Sequence, residues 1–250
     1  MKIRSFLLVL LLVMSVTSSS QEYNGTTGLL HVPSAETDAA GTFRGYVMFL
    51  DQRFTPNQLQ RNGEKYNTYS YGVGITVFPW LEMSYQAALL YMHKNGQASE
   101  PLGYYNEDRH VDVKLRPLKE GKWWPAVALG MDDVGRFEYI KEGNNTGNNY
   151  FQNFYIAASK HVDIKGCELG AHVAYRYYPS EKNKEQRGVA GGLTLRPSFY
   201  RPLRFVGEWD GVGVNVGADV LLWRHLFLQA CLVHGAGFTG GLSYHFIIPH

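Results

Sequence analysis

The chain has 250 residues, which is enough for one large domain or two small ones. Charged residues make up 18% of the chain, below the roughly 25% of ordinary soluble domains, and Tyr, Phe and Gly are plentiful. The mean hydropathy of −0.24 excludes a helical membrane protein. The net charge of +2 is too small to indicate a nucleic-acid partner.

The first twenty residues have the pattern of a secretory signal peptide. Lys2 and Arg4 form a positively charged start, residues 6–13 are an unbroken apolar run, and Ser18 and Ser20 suit the −3 and −1 cleavage positions. The competing interpretation is a membrane anchor, but the run is shorter than the roughly 18–20 apolar residues of a spanning helix. We therefore expect cleavage near Ser20.

The rest of the chain divides into an entry segment and a long series of strands. Residues 21–41 are turn-rich and predict an extended entry segment, and residues 42–250 predict a barrel domain. Most candidate strands are close to the roughly 9–11 residues of a tilted membrane strand. The candidate strands are residues 42–50, 68–78, 81–93, 109–118, 124–133, 150–161, 166–178, 188–197, 203–210, 213–222, 225–233 and 237–248.

The connections between these strands alternate in length. Those after strands 2, 4, 6, 8 and 10 are short, as at 79–80 and 223–224, whereas those after strands 1, 3, 5 and 7 are longer, as at 51–67 and 134–149. This alternation predicts an all-β, up-and-down transmembrane antiparallel barrel of about twelve strands, with short periplasmic turns and longer extracellular loops. Aromatic residues near the short turns suit either an interfacial girdle or the caps of a soluble core.

Side-chain phase predicts what faces the inside of the barrel. One face of most strands is continuously apolar, and the other mixes small residues with sparse charges of both signs, which suits a crowded interior. Buried charges must be paired or wet. We therefore predict a luminal charge network, which is either structural or lines a conducting or binding path. Its predicted members are Glu82, Asp112, Lys114, Arg116, Lys160, Glu168, Arg176, Glu208 and Asp219.

The last strand contains a candidate assembly signal. The stretch runs from Thr239 to Phe246. Leu242, Tyr244 and Phe246 lie on one face of this strand, and the small residue Gly241 lies on the other face. The spacing of Gly241, Tyr244 and Phe246 resembles the C-terminal signal that barrel-assembly machines read on outer-membrane proteins. Outer-membrane lipids and the barrel-assembly machinery are therefore the expected partners.

Catalytic chemistry is not indicated by the motifs of this sequence. It has no Gly-x-Ser-x-Gly elbow, His-Glu-x-x-His pair, Walker loop or Cys-x-x-Cys motif. Ser159 and His161 share one face of strand 6, but a lipid hydrolase would need a third member and an outward-facing pair. Asp132 and Asp133 could hold a cation at the rim or form a turn. We predict no catalytic residue, no metal site and no cofactor.

Three parts of the sequence carry a family resemblance. They are residues 25–30, with Gly25 and Gly28, together with 33–35, which begin at Pro33; residues 111–115 followed by 125–135; and residues 155–160. These stretches resemble the YjbH-like family of outer-membrane barrels. The resemblance implies a barrel associated with exopolysaccharide production, with a polysaccharide or its export machinery as a further partner. It carries over no catalytic residue.

The leading interpretation is a barrel of the bacterial outer membrane with a non-catalytic role in exopolysaccharide export or cell-envelope assembly. Two alternatives stay open at this point. The first is a porin-like channel for small solutes, and the second is a lipid-modifying outer-membrane enzyme.

Overall fold

A computed structural model describes residues 21–59, 64–94, 97, 99–134 and 149–248 of this chain. The predicted signal peptide lies outside these residues. Twelve antiparallel strands form one closed barrel among the residues described. The strands are β1 (Thr42–Leu50), β2 (Thr68–Phe78), β3 (Leu81–His93), β4 (Leu102–Leu118), β5 (Ala126–Asp132), β6 (Asn153–Ile164), β7 (Cys167–Tyr177), β8 (Gly188–Arg196), β9 (Leu203–Trp209), β10 (Val214–Leu222), β11 (Leu226–Val233) and β12 (Gly237–Ile247).

Each strand pairs with its neighbours in the chain, and the first pairs with the last. β1 and β12 run antiparallel, from Thr42 opposite Ile247 to Phe49 opposite Gly240. The predicted all-β, up-and-down barrel is therefore confirmed. We call the end that carries the connections after β2, β4, β6, β8 and β10 the short-turn end, and the opposite end the long-loop end.

Most strands differ from the sequence prediction by one to three residues at one or both ends, as in β6, which is predicted at 150–161 and spans Asn153–Ile164. Two of the differences, in β4 and β5, have a clear physical reason. β4 begins at Leu102 rather than at residue 109, because its ladder with β3 continues past an irregularity and reaches the end of that strand. β5 ends at Asp132 because Asp133 has a φ of +56°, which leaves the extended region of the backbone. The fifth strand is therefore shorter than the pattern suggested.

Two short 3₁₀ helices, Asn57–Leu59 and Glu181–Gln186, lie in connections at the long-loop end. Within the described part of the chain, no helix has the length and apolar character needed to cross a membrane.

The barrel carries its apolar side chains on the outside as well as inside. Outward residues such as Tyr71, Leu129 and Val216 are 42–57% exposed. Inward neighbours such as Ser70 and Ala128 are fully buried. The sheet therefore presents a large apolar surface to its surroundings, which is unusual for a protein surrounded by water.

A cluster of apolar side chains also lies in the interior of the barrel. Leu29, Leu30 and Val32, from the segment before β1, are at most 1% exposed and pack against the inner wall. The wall contributes small residues such as Ala157 and Ala174 to the same cluster. Small wall side chains leave the volume that these three aliphatic side chains fill.

Closure of the barrel predicts opposite results for two changes in β12. Truncation after Gly241 removes six of the eight residues that pair with β1 and three of the eight that pair with β11, and leaves two open strand edges. We expect loss of the folded barrel, measured as loss of heat-modifiable gel mobility. His245→Ala removes one inward side chain from the wall and leaves the ladder intact, so the variant should fold. A folded truncation product would contradict the dependence on this strand.

Candidate functional site

Residues 21–36 lie inside the barrel, and we call them the luminal segment. The segment folds back on itself, with a bridge between Gln21 and Thr27. Every residue from 21 to 35 is buried. The predicted entry segment, residues 21–41, therefore begins as the filling of the barrel interior, a position that its turn-rich sequence did not indicate.

The luminal segment contains a tight turn at Gly25. Its φ of +89° lies in the left-handed region, where a side chain is strained. A Cβ at this position would also overlap the Tyr46 hydroxyl of β1 and lie 3.1 Å from the Cβ of Ser84. Backbone conformation and the closeness of the wall therefore both require glycine here.

Glu208 of β9 holds three consecutive backbone N–H groups of the luminal segment. Leu30, His31 and Val32 donate to its carboxylate at 3.0, 2.9 and 3.2 Å. The Asn215 side chain donates to the same carboxylate at 2.9 Å. Glu208 is 3% exposed, so these charge-assisted hydrogen bonds act away from bulk water, where they are strong.

Glu82 of β3 and Lys114 of β4 hold the segment at Thr27. Thr27 donates its backbone N–H to Glu82 at 3.2 Å and its hydroxyl at 2.6 Å. Lys114 Nζ donates to the Thr27 carbonyl at 2.6 Å and lies 3.6 Å from Glu82. Arg44 of β1 pairs with Glu82 at 3.3 Å. Two predicted network residues thus form an ion pair that also binds the backbone of the segment.

Asp132, the last residue of β5, anchors the first turn of the luminal segment. Asn24 donates from Nδ2 to Asp132 at 2.8 Å. Ser84 donates to Asp112 of β4 at 2.7 Å, and its Oγ lies 3.0 Å from the Asn24 carbonyl. The Asp133 backbone N–H donates to Asp112 at 2.9 Å. Asp132 therefore binds the segment, whereas Asp133 forms the turn that ends β5.

Two arginines bind backbone carbonyls of the luminal segment. Arg176 of β7 donates to the His31 carbonyl at 3.1 Å. Arg204 of β9 donates to the Gly28 carbonyl at 3.2 Å, and its Nε donates to Asp219 of β10 at 2.9 Å. Carboxylates of the wall thus accept from the N–H groups of the segment, and cations of the wall donate to its carbonyls. The inner wall is complementary to a polypeptide backbone.

The other three residues of the predicted charge network lie at the short-turn end, apart from the residues that hold the luminal segment. Lys160 Nζ pairs with Glu120 at 2.8 Å, and Glu168 pairs with Arg196 at 3.2 Å. Arg116 donates to a carbonyl of the turn between β2 and β3 at 2.7 Å. Arg116, Glu168 and Arg196 line an open cavity of about 300 Å³, which we call the short-turn cavity, and Glu120, the partner of Lys160, lines it as well.

Glu36, the last residue of the luminal segment, faces the short-turn cavity. Its Oε2 lies 3.3 Å from Arg204 Nη1, and its Oε1 lies 3.4 Å from His161 Nε2. Burial alone would raise the pKa of Glu36, but the hydrogen bond from His161 and the nearby charge of Arg204 hold that pKa well below its usual range. Glu36 is therefore ionised at neutral pH.

Ser159 faces the interior rather than the outer surface. Its Oγ accepts from the Ala35 backbone N–H at 2.9 Å and lies 2.9 Å from Nδ1 of His172. Register explains the partner, because Ser159 of β6 lies directly opposite His172 of β7. His161, which shares the face of Ser159, binds Glu120 at 2.7 Å instead. A Ser–His pair on the outer surface, as a lipid hydrolase requires, is not formed by these residues.

The candidate assembly residues of β12 divide between two environments. Tyr244 and Phe246 are 55% and 49% exposed on the outer face. Gly241 lies opposite Met48 of β1, and a Cβ there would approach the Val47 carbonyl to 2.6 Å. Recognition of these three residues by an assembly machine stays a prediction.

Four residues that the predicted luminal network did not include take part in the site: Arg44, Arg204, Glu36 and Asp132. Arg204 shares the polar face of β9 with Glu208, and phase alone could have included it. The phase of β1 likewise directs Arg44 inward. Glu36 lies in a turn-rich segment, where a charged residue ordinarily indicates solvent.

Because Glu208 holds three backbone N–H groups of the luminal segment, we predict that replacing Glu208 loosens the segment. Glu208→Gln replaces two accepting oxygens by one and turns amide hydrogens toward N–H groups, and each hydrogen bond to a charged group contributes about 1.5–3 kcal/mol. Cys231 is 3% exposed and packs in the same cluster as Leu30. We expect maleimide to label Cys231 at least about tenfold faster, measured with Cys167→Ser present.

The matched control for this experiment is Glu185→Gln, because Glu185 is exposed at the long-loop end. It should leave the labelling rate of Cys231 unchanged. Equal labelling rates of Cys231 in the wild-type barrel and in Glu208→Gln would contradict the role of Glu208 in holding the luminal segment.

Comparisons with known proteins agree with the resemblance seen in the sequence. The YjbH family model, described as "Exopolysaccharide biosynthesis protein YbjH", matches residues 20–186. The uncharacterized lipoprotein YjbH of Escherichia coli strain K12 is 29% identical over 143 residues, which cover 56% of this chain and 17% of that protein. The match therefore spans less than a fifth of the length of this relative.

Two solved structures are also similar, at low sequence identity. The outer-membrane phospholipase of Salmonella typhi, a dimer with bound calcium, is 9% identical, with 84% of this chain and 91% of that chain covered and a TM-score of 0.34. The outer-membrane phospholipase A of Escherichia coli is 8% identical, with 84% and 96% covered and a TM-score of 0.32. These scores are too low to transfer any property of those enzymes.

The family match covers more than half of the 250 residues. The predicted relationship is confirmed, and the chain belongs to the YjbH family of exopolysaccharide biosynthesis proteins.

Proposed function

We propose that this chain is an outer-membrane β-barrel that serves exopolysaccharide export or cell-envelope assembly without catalysis, and that its own luminal segment keeps the barrel closed. This proposal is supported by the hydrogen bonds with which the inner wall holds the segment. Glu208 accepts from three consecutive backbone N–H groups, while Lys114, Arg176 and Arg204 donate to backbone carbonyls.

The outer surface supports a location in a membrane. Large apolar side chains are exposed around the barrel, where water would disfavour them and lipid would not. Aromatic residues are the most exposed of all at the short-turn end: Trp123 is 81% exposed, Phe199 80% and Trp223 78%. Aromatic rings at one level suit the interface between lipid and water. Together with the predicted signal peptide, this surface favours the outer membrane of a Gram-negative bacterium.

The contents of the lumen distinguish the candidate functions. A small-solute channel needs a water-filled path, whereas the interior described here is occupied by residues 21–35. A lipid-modifying enzyme needs its reactive groups on the lipid side, whereas Ser159 binds the luminal segment. A closed barrel instead suits a role as a scaffold or gated component of an export or assembly machine. Its proposed partners are outer-membrane lipids, the barrel-assembly machinery, and a polysaccharide or its export machinery.

The proposed function predicts that a deletion strain loses surface exopolysaccharide while its lipid profile stays unchanged. Complementation with Ser159→Ala should restore the polysaccharide, because the role requires no nucleophile. The matched comparison is wild-type complementation, with heat-modifiable gel mobility as the check that both barrels fold in the outer-membrane fraction. A freely soluble protein, an altered lipid profile, or folded Ser159→Ala that fails to complement would contradict the proposal.

A further inference from the structure

Two histidines and a glutamate converge at the inner wall of the short-turn cavity. His161 of β6, His172 of β7 and Glu36 of the luminal segment each offer one ligand atom, and the three atoms lie within 4.8 Å of one another. Two imidazoles with one carboxylate form the ligand set of zinc sites that keep a fourth position open. Glu36 and His161 line the cavity of about 300 Å³, which gives an ion access and room for a further ligand.

The distances at the centre of this cluster suit a small cation. Glu36 Oε1 lies 3.4 Å from His161 Nε2. Ligands at zinc bond lengths of about 2.0–2.1 Å lie about 3.3 Å apart in a tetrahedron. Arg204 holds the other oxygen, Oε2, at 3.3 Å. The remaining oxygen is thereby directed toward His161 at nearly the separation that two ligands of one ion would have.

Both histidines also have the outer hydrogen bonds that metal-binding histidines use. His161 Nδ1 lies 2.7 Å from Glu120 Oε2, which leaves Nε2 to face Glu36. His172 Nδ1 lies 2.9 Å from Ser159 Oγ, and Nε2 has a longer contact of 3.1 Å with Thr194. A carboxylate or hydroxyl on one ring nitrogen fixes the tautomer and orients the other nitrogen for a metal.

A missing side chain provides the space in which the two imidazoles approach each other. Gly170 of β7 lies opposite both His161 and Thr194 in the neighbouring strands. A Cβ at Gly170 would lie 2.8 Å from His161 Cδ2 and 2.8 Å from His172 Nε2. The backbone of Gly170 thus forms a cradle beneath the cluster that a methyl group would fill.

The geometry points to a site for a divalent transition-metal ion such as Zn²⁺, held by Glu36, His161 and His172. The carboxylates of Glu36 and Glu120 compensate the charge of the ion. An ion here joins the luminal segment to β6 and β7 at the point where the segment leaves the barrel. It therefore stabilises the barrel with the segment inside.

The test uses the full folded barrel, stripped with a chelator and titrated with Co²⁺ or Zn²⁺ alone. We expect one ion per chain by calorimetry, a four-coordinate Co²⁺ absorption spectrum, and a higher unfolding temperature with Zn²⁺. Glu120→Gln keeps all three ligands and loses the orienting carboxylate, so affinity should fall roughly 10- to 100-fold. His161→Ala and Gly170→Ala should abolish the stoichiometric site.

The matched control is His225→Ala, because His225 is exposed on the turn before β11, outside the cluster. It should bind as the wild-type barrel does. Absence of stoichiometric binding by the wild-type barrel would overturn the assignment. Binding that persists unchanged in folded His161→Ala and Glu120→Gln would overturn it as well, because the ion would then lie elsewhere.

Discussion

The structure depends on how a polypeptide can be accommodated inside a closed sheet. The backbone N–H and C=O groups of the strands are hydrogen-bonded to one another, so a segment that runs through the lumen cannot join the ladder. Each of its buried backbone groups would cost about 1–3 kcal/mol if left without a partner. The side chains of the wall must therefore supply the partners. Glu208 and Glu82 accept from the N–H groups, and Lys114, Arg176 and Arg204 donate to the carbonyls.

The same requirement explains why this barrel carries so many charges in its interior. An isolated ion in the lumen would be costly to desolvate, and a direct ion pair recovers that cost only with good geometry. Here Glu82 pairs with Lys114 and Arg44 and also binds Thr27. The network is thus a set of ion pairs whose remaining hydrogen-bonding capacity holds the segment. A wall evolved for permeating solutes has no reason to match the spacing of a peptide backbone.

Much of this fold follows from sequence periodicity, because strand phase and loop length are local properties. Phase alone directs Glu208, Asp219 and Arg176 inward. The partners of these residues could not be derived in the same way, since Glu208 binds residues about 177 positions earlier in the chain. Polar residues in a turn-rich segment ordinarily indicate solvent, so the burial of the luminal segment was missed. The cluster of Glu36 and His172 depends on strand register, which sequence phase does not determine.

Amide hydrogen exchange tests most directly whether the luminal segment is a fixed part of the closed barrel. The N–H groups of Leu30, His31 and Val32 should exchange as slowly as those of the β9–β10 ladder, because Glu208 holds them inside the wall. Exchange of these three amides at the rate of an unprotected peptide, while the strands stay protected, would contradict the account.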